Sequence, residues 1–313
     1  MAQKRRLSQN PRLLNISHAS LETEQTHPLS RDWDLWETQR IMRLIWEEDV
    51  KALKTVPKVF SDLEVAVDWY VESLRNGGRV FYVGAGTAGR LAVVDAAELP
   101  PTFGISPKQV LAVLAGGKKA FAVAYEGAED KTTDARKIAR RHRIGKKDLV
   151  IGFSASGATP FVCAFLQEAQ KKGARTIAIV HNRSCPLKAC SHLFIYLPTG
   201  PELLTGSTRM KTGLVQKHIL TLLSTTAMIR LGRVFSHFMI GVQAKNKKLR
   251  QRALHILKHL VNFPEKRLRR LLQQARFSPA IALIMAQKKT SYAHAKKLLA
   301  QNRNDLRKIL SDT

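Results

Sequence analysis

The spacing of apolar residues changes twice along this chain. Residues 1–30 are polar, carry Pro11 and Pro28, and show no periodicity, so they read as an arm with little internal structure. From Trp36 to about Leu53, Trp36, Ile41, Leu44 and Ile45 recur at helical spacing. A second helix is predicted from Val59 to Arg75, stopped by Asn76-Gly77-Gly78, where the chain can turn left-handed. Short unbroken apolar runs then take over at Val80–Val83, Val110–Leu114, Leu149–Phe153, Thr176–Val180 and Leu193–Leu197. Runs of this kind, with helical segments between most of them, predict an α/β three-layer sandwich with a mainly parallel sheet. A long helix is expected over Lys211–Leu231, with Leu214, Ile219, Leu222, Leu223 and Met228 facing a core or a partner. Beyond Gly232 the pattern is helical. Pro264 and Pro279 divide it, which predicts a small C-terminal helical bundle at about 265–313.

Composition adds a question of charge. The 313 residues are 44% hydrophobic, enough for one large domain or two smaller ones. The net charge is +28, and residues 245–313 alone hold 18 Lys and Arg against three acids. Dense positive charge attracts phosphate backbones. Here it is concentrated in the helical tail, apart from the glycine-rich segment described next. It reads as a solvated surface, and nucleic acid is not the expected partner. Cys163, Cys185 and Cys190 lack metal-ligand spacing, and their odd number argues against a disulfide framework. Reduced thiols and a cytoplasmic location are expected. The basic start is followed by no apolar stretch of the secretory type, and no apolar run approaches the ~20 residues of a spanning helix.

The chemistry is concentrated in Val80–Gly104. Gly84-Ala-Gly-Thr-Ala-Gly89 follows a predicted strand and opens a predicted helix. Glycines let the backbone approach a ligand, and free N–H groups at a helix start favour an anion. The same spacing fits a dinucleotide fingerprint. That motif requires a carboxylate at the end of the second strand, where this chain has Leu114-Ala-Gly-Gly117. A second hydroxyl-bearing loop, Ser154-Ala-Ser-Gly-Ala-Thr-Pro160, again lies between strand and helix. Serines and threonines here could simply cap helices. Two such loops at the ends of neighbouring parallel strands point instead to a phosphate-bearing ligand. Two carboxylates follow, Glu98 before Leu99-Pro100-Pro101 and Glu129 in Tyr125–Asp130. Ordinary surface acids are the plain reading; a general acid and base beside a sugar phosphate is the sharper one. The prolines are expected to end the helix after Glu98. Eleven residues separate Thr87 from Glu98, about 16 Å along a helix. Either the helix bends, or Glu98 serves the site of a second subunit.

These strings resemble the N-acetylmuramic acid 6-phosphate etherase family of sugar isomerase (SIS) domain proteins. The resemblance covers roughly residues 35–313 and also takes in Gly200-Pro-Glu-Leu-Leu-Thr-Gly-Ser-Thr-Arg-Met-Lys211, Leu223–Gly232 and Val242–Arg250. It implies an arm at 1–35, a SIS-type domain at 36–240 and a helical region at 241–313. It implies a homodimeric cytoplasmic lyase of peptidoglycan recycling that uses neither metal nor organic cofactor. Such an enzyme removes D-lactate from N-acetylmuramic acid 6-phosphate and leaves N-acetylglucosamine 6-phosphate. Glu98 and Glu129 fall on the family's two active-site glutamates. Gly86, Thr87, Ser156, Gly157 and Thr159 would hold the phosphate, and Ser207, Thr208 and Arg209 would line the same cleft. The chain departs from the family at Ala88, usually Ser, and at Ala158, usually Arg. It departs again at Trp46 and His27, both usually Asn. The alternative is a non-catalytic sugar-phosphate sensor like the glucokinase regulatory protein, which lacks the glutamate at the Glu98 position.

Overall fold

A computed structural model describes residues 21–244 and 246–311. Five strands form one sheet: β1 (Val80–Gly84), β2 (Val110–Leu114), β3 (Leu149–Ser154), β4 (Arg175–Val180) and β5 (Leu193–Tyr196). Their order is β2-β1-β3-β4-β5, and every pairing is parallel. Parallel neighbours need crossovers. Helices α1 (Thr38–Leu53) and α2 (Phe60–Arg75) precede the sheet, and α3 (Gly86–Phe103) follows β1. The short α4 (Lys119–Ala122) and then α5 (Thr132–Arg141) follow β2. Helix α6 (Pro160–Lys171) follows β3, and α7 (Lys211–Arg230) comes after β5.

Successive strand residues point to opposite faces. Tyr82, Ile151, Phe153, Ile177 and Ile179 pack with α2, α3 and α7 on one side. Phe81, Val83, Val150, Ala178 and Val180 pack with α5 and α6 on the other. With helices on both faces, the strands have no solvent side. The apolar runs therefore show no alternation, and the three-layer sandwich expected from them is the one observed. Register then sets up the site. Gly84 at the end of β1 lies opposite Phe153 near the end of β3, so the loops that follow both strands leave the sheet side by side.

The C-terminal part is helical from α8 (Lys247–Leu260) through α9 (Glu265–Gln274), α10 (Pro279–Lys288), α11 (Tyr292–Gln301) and α12 (Leu306–Ser311). Ile240, Val242, Leu257, Leu268, Leu283 and Ile309 form a core apart from those of the sheet. Here the sequence expectation needs correcting. Residues 231–244 contain no helix, and the bundle starts with α8, not near 265. Gly232 turns left-handed after α7, and α8 begins only where the Asn246 side chain accepts from Leu249 N–H. A Cβ on Gly104 would sit 1.9 Å from Gly241 O, and one on Gly232 would sit 2.4 Å from Asn304 O. These two bare positions let the C-terminal segment close onto the ends of α3 and α7.

Three further expectations change. Pro100 and Pro101 do not end α3; they lie inside its last turn. Proline's fixed φ is helical, and its cost is a lost donor and a clash with the preceding turn. The helix stops at Gly104, which is left-handed and donates its N–H to Pro100 O at 3.0 Å. The N-terminal arm is ordered where it is described, in three short 3-10 turns at Glu22–Glu24, Pro28–Ser30 and Trp33–Leu35; residues 1–20 lie outside the described residues. Its polar side chains bond to the end of β5 and to the loop after β4: Glu22 accepts from Tyr196 Oη and Arg183 N, and Thr23 pairs with the Asn182 side chain. Finally, Cys163 and Cys190 are joined as a disulfide across α6 and the turn before β5, while Cys185 is a buried free thiol. Their 27-residue separation carries no spacing signal, so the pairing was not legible. Among the described residues, no helix is long and apolar enough to cross a membrane.

Candidate active site

The first loop is built on close backbone contact. Gly84 and Gly89 face each other so tightly that a Cβ on either would lie 2.7 Å from the other's backbone. This pins the start of α3 over the end of β1. Gly86 has φ of 52° with open space around its Cα, so its backbone can meet a ligand unobstructed. Thr87 Cγ2 lies 3.5 Å from where a Cβ on Gly213 would sit, and Thr208 O lies 3.4 Å from the same point. The starts of α3 and α7 and the 200–210 loop therefore meet here. Gln216 on α7 fastens the contact by donating to Ala88 O at 2.8 Å.

The second loop, after β3, is held by its own hydroxyls. Ser154 Oγ accepts from Gly157 N–H at 3.0 Å and bonds Thr159 Oγ1 at 2.8 Å. Ser156 Oγ accepts from Ala158 N–H at 3.1 Å. Thr159 is buried and Ser156 only partly so, which leaves Ser156 the more accessible hydroxyl. Gly157 is left-handed, and a Cβ there would lie 2.3 Å from Cys185 Sγ.

Glu129 joins the first loop directly. It lines a small cleft of about 170 Å³ with Gly86, Arg90 and Glu126. Arg90, at the start of the second turn of α3, lines the same cleft. Its Nε donates to Ala120 O and Phe121 O at 3.0 Å each, and Nη2 donates to Val123 O at 3.2 Å. The segment leading to Glu129 is thereby tied to the helix that starts at Gly86. Glu98 is not brought to this cleft. It is exposed on α3, and α3 runs as one helix from Gly86 to Phe103, placing it about 16 Å from Thr87. Arg209 is likewise exposed, while Ser207 and Thr208 are half-buried in the loop before α7.

Sequence reasoning missed the network that fixes this last loop. Glu202, fully buried, accepts from Lys211 N–H at 3.2 Å and Thr212 N–H at 2.9 Å. A carboxylate thus caps the N-terminus of α7, where it favours the helix dipole. Lys211 Nζ, on a side chain only 4% exposed, reaches Glu48 Oε2 at 3.0 Å. Lys51 donates to Glu48 Oε1 at 2.8 Å, and His27 Nε2 lies 3.0 Å from Glu48 Oε2. Because Leu29 N–H donates to His27 Nδ1, the neutral ring carries its proton on Nε2, facing the carboxylate. Burial pushes the Glu48 carboxyl up. Hydrogen bonds from Lys51 and Lys211, the Lys211 charge and the His27 contact outweigh it, and the pKa falls to about 2. The only sequence signal was Glu202 and Lys211 standing in the Gly200–Lys211 string; nothing marked Glu48 as their partner.

This network predicts its own stability profile. Replacing Glu48 with Ala strands the buried Lys211 ammonium, at a cost of about 3–5 kcal/mol. A carboxylate whose pKa is depressed on folding stabilises fully above its ordinary value of 4.5. That contribution is lost as pH falls toward about 2. Urea unfolding of the wild type is expected to show this acid-side loss, and Glu48→Ala to be weaker at neutral pH with a flatter acid limb. Equal stability of the two proteins at neutral pH would contradict the arrangement.

Among the described residues, no group of three or more His, Cys, Asp and Glu side chains is placed to hold a metal ion. The model of the glucokinase regulatory protein N-terminal SIS domain matches residues 62–170. N-acetylmuramic acid 6-phosphate etherase 1 of Bacillus licheniformis is 39% identical over 297 residues, covering 95% of this chain and 98% of that protein. The N-acetylmuramic acid 6-phosphate etherase of Bacillus subtilis is 40% identical over 262 residues, covering 84% of this chain and 86% of its own. Among solved structures, a Bacteroides fragilis protein described as a phosphosugar isomerase involved in capsule formation is similar in fold. It has a TM-score of 0.50 and 22% identity, over 64% of this chain and 95% of that one.

Proposed function

The chain belongs to the N-acetylmuramic acid 6-phosphate etherase family, and we propose that it cleaves the lactyl ether with one glutamate from each of two subunits. As a member it is a carbon–oxygen lyase of cell-wall amino-sugar recycling. Its substrate is N-acetylmuramic acid 6-phosphate, and its products are D-lactate and N-acetylglucosamine 6-phosphate.

In the open-chain sugar the aldehyde acidifies the proton on carbon 2. Glu129 takes that proton. The bond between carbon 3 and the lactyl oxygen breaks, its electrons leave with the oxygen, and Glu98 protonates the departing lactate. Water then adds to the unsaturated aldehyde, placing a hydroxyl on carbon 3 and a proton on carbon 2. Gly86, Thr87, Ser156, Gly157 and Thr159 hold the phosphate, with Ser207, Thr208 and Arg209 along the cleft.

The observation that carries the two-subunit reading is the separation of Glu98 from the cleft that Glu129 lines. Two others support it. The cleft's 170 Å³ is smaller than the ~300–1,000 Å³ of ordinary ligand pockets, as expected of a site that a second subunit completes. Val94, four residues before Glu98 and so on the same face of α3, is 47% exposed, and Trp46 on α1 is 66% exposed. Uncovered apolar residues of this size are what a second subunit seated on α1 and α3 would cover. A homodimer, a cytoplasmic location and a division into residues 36–240 and 241–313 belong to the same reading. The separate core from Ile240 to Ile309 supports the division.

Incubation with N-acetylmuramic acid 6-phosphate tests the function. Equimolar D-lactate and N-acetylglucosamine 6-phosphate are expected. Tight binding of the sugar phosphate without lactate would instead make the chain a sensor.

A further inference from the structure

A second cleft lies at the opposite end of α3, where the C-terminal segment closes onto Gly104 and Gly232. Its volume is about 540 Å³, within the range of small-molecule sites. Arg233, Arg276 and Lys296 line it, with Gln243, Ser278 and Asn304 between them. No Asp or Glu is among its described lining residues. Helix α3 spans 18 residues, about 27 Å, so this cleft is well separated from the glycine-rich loop of its own chain.

Arg233 is the unusual residue. Among the described residues its Nε is buried without a hydrogen-bond partner, and none of their carboxylates pairs with its guanidinium. Burial alone lowers its pKa. The residue is partly buried, and a guanidinium that loses water on its Nε side without a counter-charge is costly to the fold. Its planar fork of donors matches the oxygens of a phosphoryl group. Arg276 stands at φ of 50° and lies over the Tyr292 ring, 4.7 Å from its centroid. That φ belongs to the left-handed turn that closes α9, where Phe277 N–H donates to Leu272 O at 2.7 Å, and the turn sets the Arg276 side chain at the cleft wall. Ser278 and Ala280, at the N-terminus of α10, face the same cleft.

We propose that this cleft is a second anion site, which takes a small phosphate-bearing molecule on Arg233 and Lys296. Its polar lining of Gln243, Ser278 and Asn304 suits the hydroxyls of such a molecule.

Calorimetric titration with inorganic phosphate tests this at constant ionic strength, with chloride as the control anion. The wild type is expected to bind two phosphates per chain, one at the loops after β1 and β3 and one here. Arg233→Gln is expected to lose one of the two, or to bind it at least roughly ten-fold more weakly, and Lys296→Gln to weaken the same one. Thr87→Val is expected to weaken only the other, so failure of the loop assignment and failure of this site give different results. In phosphate-free buffer Arg233→Gln is expected to melt no lower than the wild type, because it removes an uncompensated charge. Lys296 is exposed, so its variant carries the test if Arg233→Gln does not fold. The proposal is overturned if both variants keep every wild-type phosphate site, if chloride has the same effect as phosphate, or if the wild type binds one phosphate that only Thr87→Val removes.

Discussion

Glu98→Gln and Glu129→Gln are each expected to slow D-lactate release by on the order of 10²–10⁴-fold, the usual contribution of a positioned proton-transfer group. The substitution is nearly isosteric and removes only the ability to take up and give a proton. Both side chains are exposed and belong to no ion pair among the described residues, so folding stability is expected to stay within about 0.5 kcal/mol of wild type. Binding of N-acetylglucosamine 6-phosphate, which has no ether to cleave, is expected to change far less than the rate. Steady-state kinetics beside product-binding titrations separate the two. Full activity in either variant would remove that glutamate from the mechanism.

The second large effect is a rescue. If Glu98 serves the partner's cleft, a dimer that combines one Glu98→Gln subunit with one Glu129→Gln subunit has one intact site and one doubly damaged site. Co-production of the two inactive proteins in equal amounts is then expected to restore about a quarter of the wild-type rate, because half of the dimers are mixed and each has one working site. A site assembled within one subunit would give no rescue, since every cleft in the mixture would lack one glutamate. The contrast is between a quarter of full activity and a background lower by orders of magnitude. Separately tagged subunits purified as the mixed dimer sharpen it further.

Much of this was legible in the sequence, and most of the exceptions share a cause. The strands announced themselves because both faces of the sheet are covered, so Val80–Val83 and Leu149–Phe153 had no polar position to interrupt them. The glycine-rich turn was legible because close backbone contact between Gly84 and Gly89 admits no side chain. The distance between Thr87 and Glu98 followed from helical rise alone. What escaped depended on contacts between residues far apart in the chain. Glu48 and Lys211 are 163 residues apart, and Thr23 meets Asn182 across 159; no local pattern encodes either pair. The N-terminal arm looked structureless because its partners, on α1, β5 and the loop after β4, are not its own neighbours in the chain. Pro100 and Pro101 misled for a different reason. A proline rule written for helix interiors overstates its case in a last turn, where Gly104 supplies the real stop. Arg90 was hidden by its carbonyl partners, since backbone acceptors leave no mark in a sequence.

The departures at Ala88 and Ala158 leave both glutamates and the glycine backbone in place. Ala88 sits partly buried at the start of α3 with its carbonyl bonded to Gln216. Its missing hydroxyl removes one candidate phosphate contact, worth about 0.5–1.5 kcal/mol, and leaves the route of the two protons unchanged.

The central claim is that this chain eliminates lactate across the bond to carbon 3 and then adds water. The most direct measurement is the reaction with N-acetylmuramic acid 6-phosphate in heavy-oxygen water, with both products weighed by mass spectrometry. The account predicts unlabelled D-lactate and N-acetylglucosamine 6-phosphate carrying one heavy oxygen on carbon 3 beyond whatever the aldehyde carbon exchanges with water, the two formed in equal amounts. Heavy oxygen in the lactate would contradict it by placing the cleavage on the other side of the ether, and unchanged substrate would contradict the activity itself.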